Sequence, residues 1–124
     1  MLLDRDFAKA FATDWIESWN CHDLDRILAH YATDFEMYSP LIVERTGDPS
    51  GKLVGKNAVG SYWKIGLSAQ PPLKFILEEL YVGIGTLVIR YNSVGRRKAS
   101  EVFIFNEVGL VVRAFANHAI EIDT

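Results

Sequence analysis

Residues 15–40, WIESWNCHDLDRILAHYATDFEMYSP, carry the main evidence for the fold class, because the spacing of their apolar residues changes from a helical to a strand period. Aromatic residues recur every four positions from residue 7 to residue 19, at Phe7, Phe11, Trp15 and Trp19. This spacing predicts an amphipathic helix over residues 4–19. Asp23 is a suitable N-cap, so a second, short helix is expected over residues 23–32. Two helices therefore precede the first strand.

That strand lies within the same stretch. From Asp34 the apolar period changes to two, so that Phe35, Met37 and Ser39 share one side, and Pro40 ends the run. Ser39 has two interpretations at this point. It is either a strand-ending residue bonded to nearby backbone or a contact for a ligand hydroxyl.

The remaining chain predicts one more helix and a run of strands. Turn-forming residues without periodicity predict a long surface loop over residues 41–55. Helical spacing returns over residues 56–69 and ends before two prolines. Strands rich in β-branched and aromatic residues follow at residues 73–82, 84–92, 97–106 and 109–118. Because the helices are segregated from the strands, the expected class is α+β with the helices on one face of the sheet.

Length and composition limit the class of protein. A chain of 124 residues can bury one core, so residues 1–124 are expected to form a single domain. A hydrophobic fraction of 49% excludes a disordered chain. The net charge of −3 provides no broad positive field for nucleic acid or anionic lipid. The one basic run, Arg96-Arg97-Lys98, is interpreted as a solvated turn.

The cellular setting is inferred from what the sequence lacks. The lone Cys21 cannot form an intrachain disulfide, and the N-terminus carries acidic residues where a signal peptide needs a positive start. No run approaches the roughly 18 apolar residues of a membrane span. We therefore expect a soluble, cytoplasmic protein without nucleic-acid or membrane partners.

The opening stretch resembles the nuclear transport factor 2-like superfamily, in particular its SnoaL-like branch. GKNAVGSYW at residues 55–63 and SEVFIFNEVGLVVRAFANH at residues 100–118 extend this resemblance over residues 5–118. It implies a strongly curved, mixed sheet wrapped around the helices as a cone, with an apolar cavity at the open end, and it implies a homodimer. It leaves the activity undecided, since the superfamily includes isomerases, cyclases, dehydratases, epoxide hydrolases and catalytically silent modules.

The number of aromatic residues supports such a cavity independently. Bulky rings on a curved sheet can leave a slot between them, although ordinary core packing is the alternative for each ring. The residues expected to shape the cavity and contact a ligand are Trp15, Trp19, Tyr31, Ser39, Trp63 and Phe103.

The resemblance also implies positions for chemistry. Ketosteroid isomerase members of the superfamily use a tyrosine, a general-base aspartate and an aspartic acid, and these positions match Trp15, Ser39 and Glu101 here. Because an unassisted hydroxyl is too weak a base to remove a proton from carbon, we expect no steroid isomerisation of that kind.

Glu101 is the first candidate catalytic residue. Strand alternation places it beside Phe103 and Phe105, where desolvation would raise the pKa of its carboxyl. It would then serve as a neutral hydrogen-bond donor or as a general acid/base near neutral pH. The alternative is a structural ion pair with Arg90 on the preceding strand.

His118 is the second candidate. Period two places it with Ala114 and Ala116, whose small side chains would leave room inside a pocket. Facing inward with Glu101, it would complete a minimal acid/base pair. A histidine that is only part of the rim is the alternative.

Other chemistries have no support in the sequence. His22 and His30 are expected to be exposed, and no cluster of ligands has the spacing of a zinc site. GKLVGK at residues 51–56 lacks the arrangement of a phosphate-binding loop. We expect neither a metal nor a cofactor.

The opposite face of the sheet predicts an interface. Val102, Ile104, Val111 and Phe115 are expected on this outer face, which makes it too apolar for solvent. A homodimer through the sheet face is therefore expected.

Two functions are consistent with these features. The leading hypothesis is binding of an apolar, oxygenated ring compound, polyketide-like, terpenoid or steroid-like, with cofactor-free proton transfer in an isomerisation, cyclisation or dehydration. The alternative is a non-catalytic dimerisation or ligand-carrier module. A cavity of roughly 300 Å³ or more favours the first, and a collapsed core favours the second.

Overall fold

The computed structural model describes residues 1–122, apart from the side chain of Arg96. The helices are α1 (Arg5–Asn20), α2 (Leu24–Leu28), α3 (Pro40–Thr46) and α4 (Lys56–Leu67). The strands are β1 (Tyr31–Tyr38), β2 (Lys52–Val54), β3 (Ile76–Val82), β4 (Thr86–Asn92), β5 (Lys98–Phe105) and β6 (Val111–His118). A 3-10 turn, Val94–Arg96, precedes β5. The predicted α+β class is confirmed.

Helix α1 forms where the aromatic spacing predicts it. The Asp4 side chain caps the helix by accepting a hydrogen bond of 2.9 Å from the Phe7 backbone N–H. The apolar face of the helix is buried against the sheet, with Trp15 completely enclosed. Its burial makes α1 the helix around which the core is assembled.

Helix α2 is shorter than predicted, and β1 begins earlier. Asp23 is the N-cap, since its side chain accepts a hydrogen bond of 3.1 Å from the Arg26 N–H. The helix ends at Leu28, however, because the next residues pair with the sheet. The His30 carbonyl accepts a hydrogen bond from the backbone N–H of Val111, and Tyr31 pairs with the same residue. A distant strand thus overrides the local helical pattern.

The prediction of a structureless loop over residues 41–55 is wrong, because α3 and β2 lie within it. Ser39 is the N-cap of α3, and Pro40 occupies the first helical turn. The helix stops at Gly47, which adopts the left-handed conformation with φ 75°. Strand β2 then pairs antiparallel with β1.

The sheet has the strand order β2-β1-β6-β5-β4-β3. Strands β1 and β6 are parallel, and every other neighbouring pair is antiparallel. The helices cover one face, where Phe11 of α1 meets the rings of Phe103 and Phe105, each at a centroid distance of 5.0 Å. We call this covered face the inner face.

Strict alternation fails in β6, which corrects one expectation for the outer face. A bulge separates the pair Ile104–Arg113 from the pair Phe105–Val111. It turns Val111 inward, where the side chain is fully buried, so the outward placement of this residue is wrong. Val102, Ile104 and Phe115 remain on the outer face and are half-buried.

Aromatic rings fill the space between α1 and the sheet. Trp15 lies at their centre, with four rings at centroid distances of 5.4 to 6.0 Å, namely Trp19, Phe75, Tyr91 and Phe103. Most of these pairs are edge-to-face, the arrangement that aromatic quadrupoles favour. Over residues 1–122, no helix is long and apolar enough to cross a membrane.

Candidate functional site

A cavity of about 190 Å³ opens between the helices and the inner face of the sheet. Six aromatic residues line it: Trp15, Trp19, Tyr62, Trp63, Phe75 and Tyr91. Its polar lining residues are Ser39, Arg45, Ser93, Arg97, Glu101 and His118. The interior is therefore not collapsed.

The volume limits the size of a ligand. It is below the roughly 300 Å³ typical of sites for drug-sized molecules. It exceeds the ~150 Å³ of an engineered apolar cavity that binds benzene. One substituted ring fits this space.

Glu101 is the buried carboxyl of this cavity, with only 4% of its surface exposed. It points inward because its neighbours across both strand pairs, Ile89 and Ala116, do so as well. Burial raises the pKa of Glu101 to about 8. Its carboxyl is therefore mostly protonated at neutral pH and can donate a hydrogen bond.

The alternative role of Glu101, an ion pair with Arg90, is wrong. Arg90 is paired with Ser100 across the strands, which directs it to the outer face. Its guanidinium lies 2.5 Å from a carboxylate oxygen of Glu79 and also approaches Glu78. Within the described part of the chain, no side chain forms a salt bridge with Glu101.

His118 lines the cavity at its exposed rim. It is paired with Ala99, and Glu101 is paired with Ala116, so the two candidates are diagonal neighbours on adjacent strands. Diagonal neighbours of this kind are about 7–8 Å apart. A small substrate could therefore contact both side chains at once, although the catalytic role of His118 stays a prediction.

Four of the six residues expected to contact a ligand line the cavity, and two do not. Trp15, Trp19, Trp63 and Ser39 are among the lining residues. Tyr31 and Phe103, by contrast, are completely buried in the core and are not among the lining residues, so their contact with a ligand stays a prediction. The Tyr31 hydroxyl accepts a hydrogen bond of 3.0 Å from Trp15 Nε1, and its role is to hold that tryptophan in place.

Ser39 combines a structural role with its position in the cavity. Its Oγ accepts a hydrogen bond of 3.2 Å from the Leu41 backbone N–H at the start of α3. The interpretation as a residue bonded to nearby backbone is therefore confirmed. The Ser39 hydroxyl also interacts with the hydroxyl of Tyr62, which lines the same cavity.

Two arginines at the cavity were not identified as site residues from the sequence. Arg97 was expected only as part of a solvated turn, and it is indeed exposed, yet it lines the cavity. Arg45 lies in the last turn of α3, within the segment 41–55 that its sequence predicts to be a loop, and it also lines the cavity. Ser39 followed by Pro40 is a typical start of a helix, and this signal would have placed Arg45 on a helix. The Arg96 side chain of the same basic run lies outside the described part.

His30 is not exposed as predicted, because α2 ends before it. Its Nε2 is 2.7 Å from Asp14 Oδ2, and its ring packs against Phe11 at 4.8 Å. Asp14 also binds the Arg26 guanidinium. Burial lowers the pKa of His30, while the hydrogen bond and charge of Asp14 raise it less strongly. His22 is exposed, as predicted.

No group of three or more potential metal ligands occurs within residues 1–122. The polar chemistry of the cavity therefore rests on a protonated carboxyl, an imidazole, hydroxyl groups and two guanidinium groups.

Comparison with known proteins identifies the family. The SnoaL-like domain model matches residues 12–120. No curated protein matches the sequence. A SnoaL-like protein of unknown function from Burkholderia thailandensis E264 is 43% identical, with a TM-score of 0.93 over 97% of this chain and 100% of that chain.

More distant structures share the fold alone. A protein of unknown function with a cystatin-like fold from Methylobium petroleophilum PM1 has a TM-score of 0.76 at 14% identity, over 99% of this chain and 82% of that chain. A proposed isomerase of the SnoaL-like family from Agrobacterium tumefaciens strain C58 has a TM-score of 0.73 at 12% identity, over 93% and 99%. The chain belongs to the SnoaL-like domain family.

Proposed function

We propose that this domain binds a small, oxygenated ring compound and transfers a proton on it without a cofactor, with Glu101 as the neutral acid. The observation that carries the proposal is a buried carboxyl that faces an aromatic cavity and is protonated at neutral pH. A carboxyl of this kind can donate to a substrate carbonyl, which stabilises the enol or enolate that forms in the reaction.

The second group of the reaction is His118. Its imidazole would remove a proton from the carbon next to the carbonyl, while Glu101 shares its proton with the carbonyl oxygen. The imidazolium then returns the proton to a different carbon, which completes an isomerisation. Elimination of a β-hydroxyl from the same enolate, in which the leaving oxygen takes the imidazolium proton and departs as water, would give a dehydration.

An exchange experiment tests the proposal without knowledge of the natural substrate. Cyclohexanone in D₂O should exchange its α-protons faster with the protein than without it, as measured by proton NMR. The Glu101→Gln variant should lose this acceleration, since an amide cannot deliver a proton. The rate should also fall as the pH rises above about 8, where Glu101 ionises.

A cavity-filling variant shows whether exchange occurs inside the cavity. Ala116→Phe places a ring opposite Glu101 on the inner face and should abolish exchange. The matched control is Val108→Phe, since Val108 lies in an exposed turn. Acceleration that survives in Glu101→Gln or in Ala116→Phe contradicts the proposed mechanism.

A non-catalytic carrier is the second candidate, and the small cavity volume favours it. A space of about 190 Å³ with its histidine at the exposed rim can enclose a ligand without placing a base against it. Native mass spectrometry of the purified protein would then detect a bound compound, while cyclohexanone would show no accelerated exchange.

We also propose that the protein is a homodimer through the outer face of the sheet. Val102, Ile104 and Phe115 form an apolar centre there, and the Tyr38 ring stacks on Phe115 at 4.6 Å. Charged residues of both signs surround this centre, including Glu36, Lys52, Glu79, Arg90 and Arg113. A two-fold axis allows such mixed charges to pair between two copies of the same face.

A further inference from the structure

Two arginines converge on the mouth of the cavity from different parts of the chain. Arg45 comes from the last turn of α3, and Arg97 comes from the segment directly before β5. Both line the same cavity as the buried Glu101. A positive mouth above an apolar interior is a specific combination, because it matches a molecule with one charged and one apolar end.

Neither arginine forms a salt bridge with a residue that the structure describes. Among the residues that the structure describes, no carboxylate lies within 4.0 Å of the Arg45 or the Arg97 guanidinium. Arg26 and Arg90, in contrast, each contact two acidic side chains. In a protein with a net charge of −3, two free guanidinium groups at one opening are available for an anion.

One of the two arginines is held in place by its neighbour. The Arg45 guanidinium lies over the ring of Tyr62, 5.5 Å from its centroid, and Tyr62 itself lines the cavity. This cation–π contact limits the conformations of the arginine without using its hydrogen-bond donors. An anion that binds there therefore loses less side-chain entropy on binding.

The distance from the mouth to the buried end fits a single ring. Arg97 and Glu101 are four residues apart, which corresponds to about 13 Å between their Cα atoms along an extended strand. An arginine side chain that extends towards Glu101 would span part of this interval, and the remainder suits one ring with a substituent at each end. The cavity of about 190 Å³ has room for such a molecule.

The inner end of the cavity has polar groups for the second substituent. Glu101 is buried there, and the Trp19 indole N–H is a buried donor without an acceptor within residues 1–122. Buried donors of this kind are costly unless they are paired, so an oxygen on the ligand would satisfy one. The ligand is thus expected to carry oxygen at both ends.

We propose that the ligand is a single-ring organic acid whose carboxylate binds Arg45 and Arg97 and whose ring, with a hydroxyl or carbonyl oxygen at its far end, lies among the tryptophans beside Glu101. This assignment rests on the proposed function, because it takes the same cavity as the binding site. It adds the charge of the ligand and its orientation.

The test compares an acid with its neutral amide. The probes are 4-hydroxyphenylacetate and 4-hydroxyphenylacetamide, which have nearly the same shape and differ in charge. Isothermal titration calorimetry should show that the acid binds at least about tenfold more tightly, as expected for charge-assisted hydrogen bonds. The double variant Arg45→Gln/Arg97→Gln should remove this preference, so that the acid and the amide bind with similar, weak affinity.

A charge-matched control separates local binding from the general field of the protein. Arg5→Gln/Lys9→Gln removes the same charge from exposed positions on α1 and should leave the preference for the acid intact. Circular dichroism melting shows whether each variant is folded. The charge-retaining variant Arg45→Lys/Arg97→Lys should restore part of the preference.

The outcomes distinguish this inference from the proposed function. Equal binding of acid and amide, unaffected by the arginine variants, overturns the carboxylate assignment and leaves the cavity as a binding site. A preference for the acid that disappears equally in the α1 control overturns it as well. Failure of both probes to bind also overturns it, whereas the exchange of cyclohexanone tests the proposed function independently of any acid.

Discussion

Glu101 and Ala116 lie directly opposite each other on β5 and β6, and both line the cavity. A larger residue at position 116 would cover the carboxyl, and a basic one would neutralise it. The alanine methyl group does neither, so the carboxyl is withdrawn from water while it still borders open space. The Glu101 carboxyl therefore titrates differently in the folded and the unfolded chain.

The stability of the protein should fall as the pH rises through the range set by Glu101. Its pKa is 4.5 in an ordinary environment and about 8 in the fold, so the folded state binds the proton more tightly than the unfolded chain does. The stability that protonated Glu101 contributes is fully present below its pKa in the unfolded chain. It is lost as the pH rises towards its pKa in the fold. Urea unfolding at several pH values should therefore show a decrease in the free energy of unfolding. The decrease expected from a pKa shift of this size is on the order of a few kcal/mol.

The Glu101→Gln variant should lack that pH dependence, since an amide does not titrate. The control is Glu107→Gln, which changes an exposed carboxyl in the turn before β6. If the difference in unfolding free energy between the unaltered protein and Glu101→Gln is the same at pH 5 and pH 8, the assignment is wrong.

Tyr31→Phe should destabilise the fold by about 1–3 kcal/mol, because it leaves the buried Trp15 indole N–H without its acceptor. Chemical denaturation measures the change. Tyr81→Phe removes a hydroxyl from a side chain that is 48% exposed and should have little effect. Similar losses in the two variants would show that the Trp15–Tyr31 hydrogen bond contributes nothing specific.

The pKa of His30 should lie below 6.5, because burial and the positive charge of Arg26 together outweigh the hydrogen bond and the charge of Asp14. NMR titration of the imidazole measures it. Asp14→Asn removes the hydrogen bond and the charge that raise this pKa, so the value should fall further. A higher pKa in the variant would contradict the proposed balance of the two effects.

The proposed dimer predicts that Val102→Asp produces a monomer, because it places a charge in the apolar centre of the outer face. Sedimentation equilibrium measures the mass in solution. Val108→Asp adds the same charge in a turn where the side chain is 79% exposed, and it should leave the dimer intact. A monomeric unaltered protein, or a dimeric Val102→Asp variant, would exclude this interface.

Local periodicity was sufficient to predict most of the fold. The alternation of Phe35, Met37 and Ser39 and the four-residue spacing of α1 depend on neighbouring residues only, and both are confirmed. The burial of Glu101 was predictable in the same way, since period two placed it beside Phe103.

Features that depend on distant pairing could not be predicted. Tyr31 was assigned to a helix because its helical spacing is correct, but pairing with Val111 draws it into the sheet. The bulge that turns Val111 inward leaves no local signal. Arg45 and Arg97 come together only because α3 and the start of β5 meet at the same opening, which requires the folded arrangement of both.

The position of β6 has a consequence for how the protein folds. Among the strands that the structure describes, β6 is synthesised last, yet it lies between β1 and β5 and joins the two halves of the sheet. Assembly of this sheet must therefore wait for β6, and the pairing of segments so far apart in the chain slows the process. Deletion of β6 would divide the sheet into two separate pieces rather than shorten it at one edge.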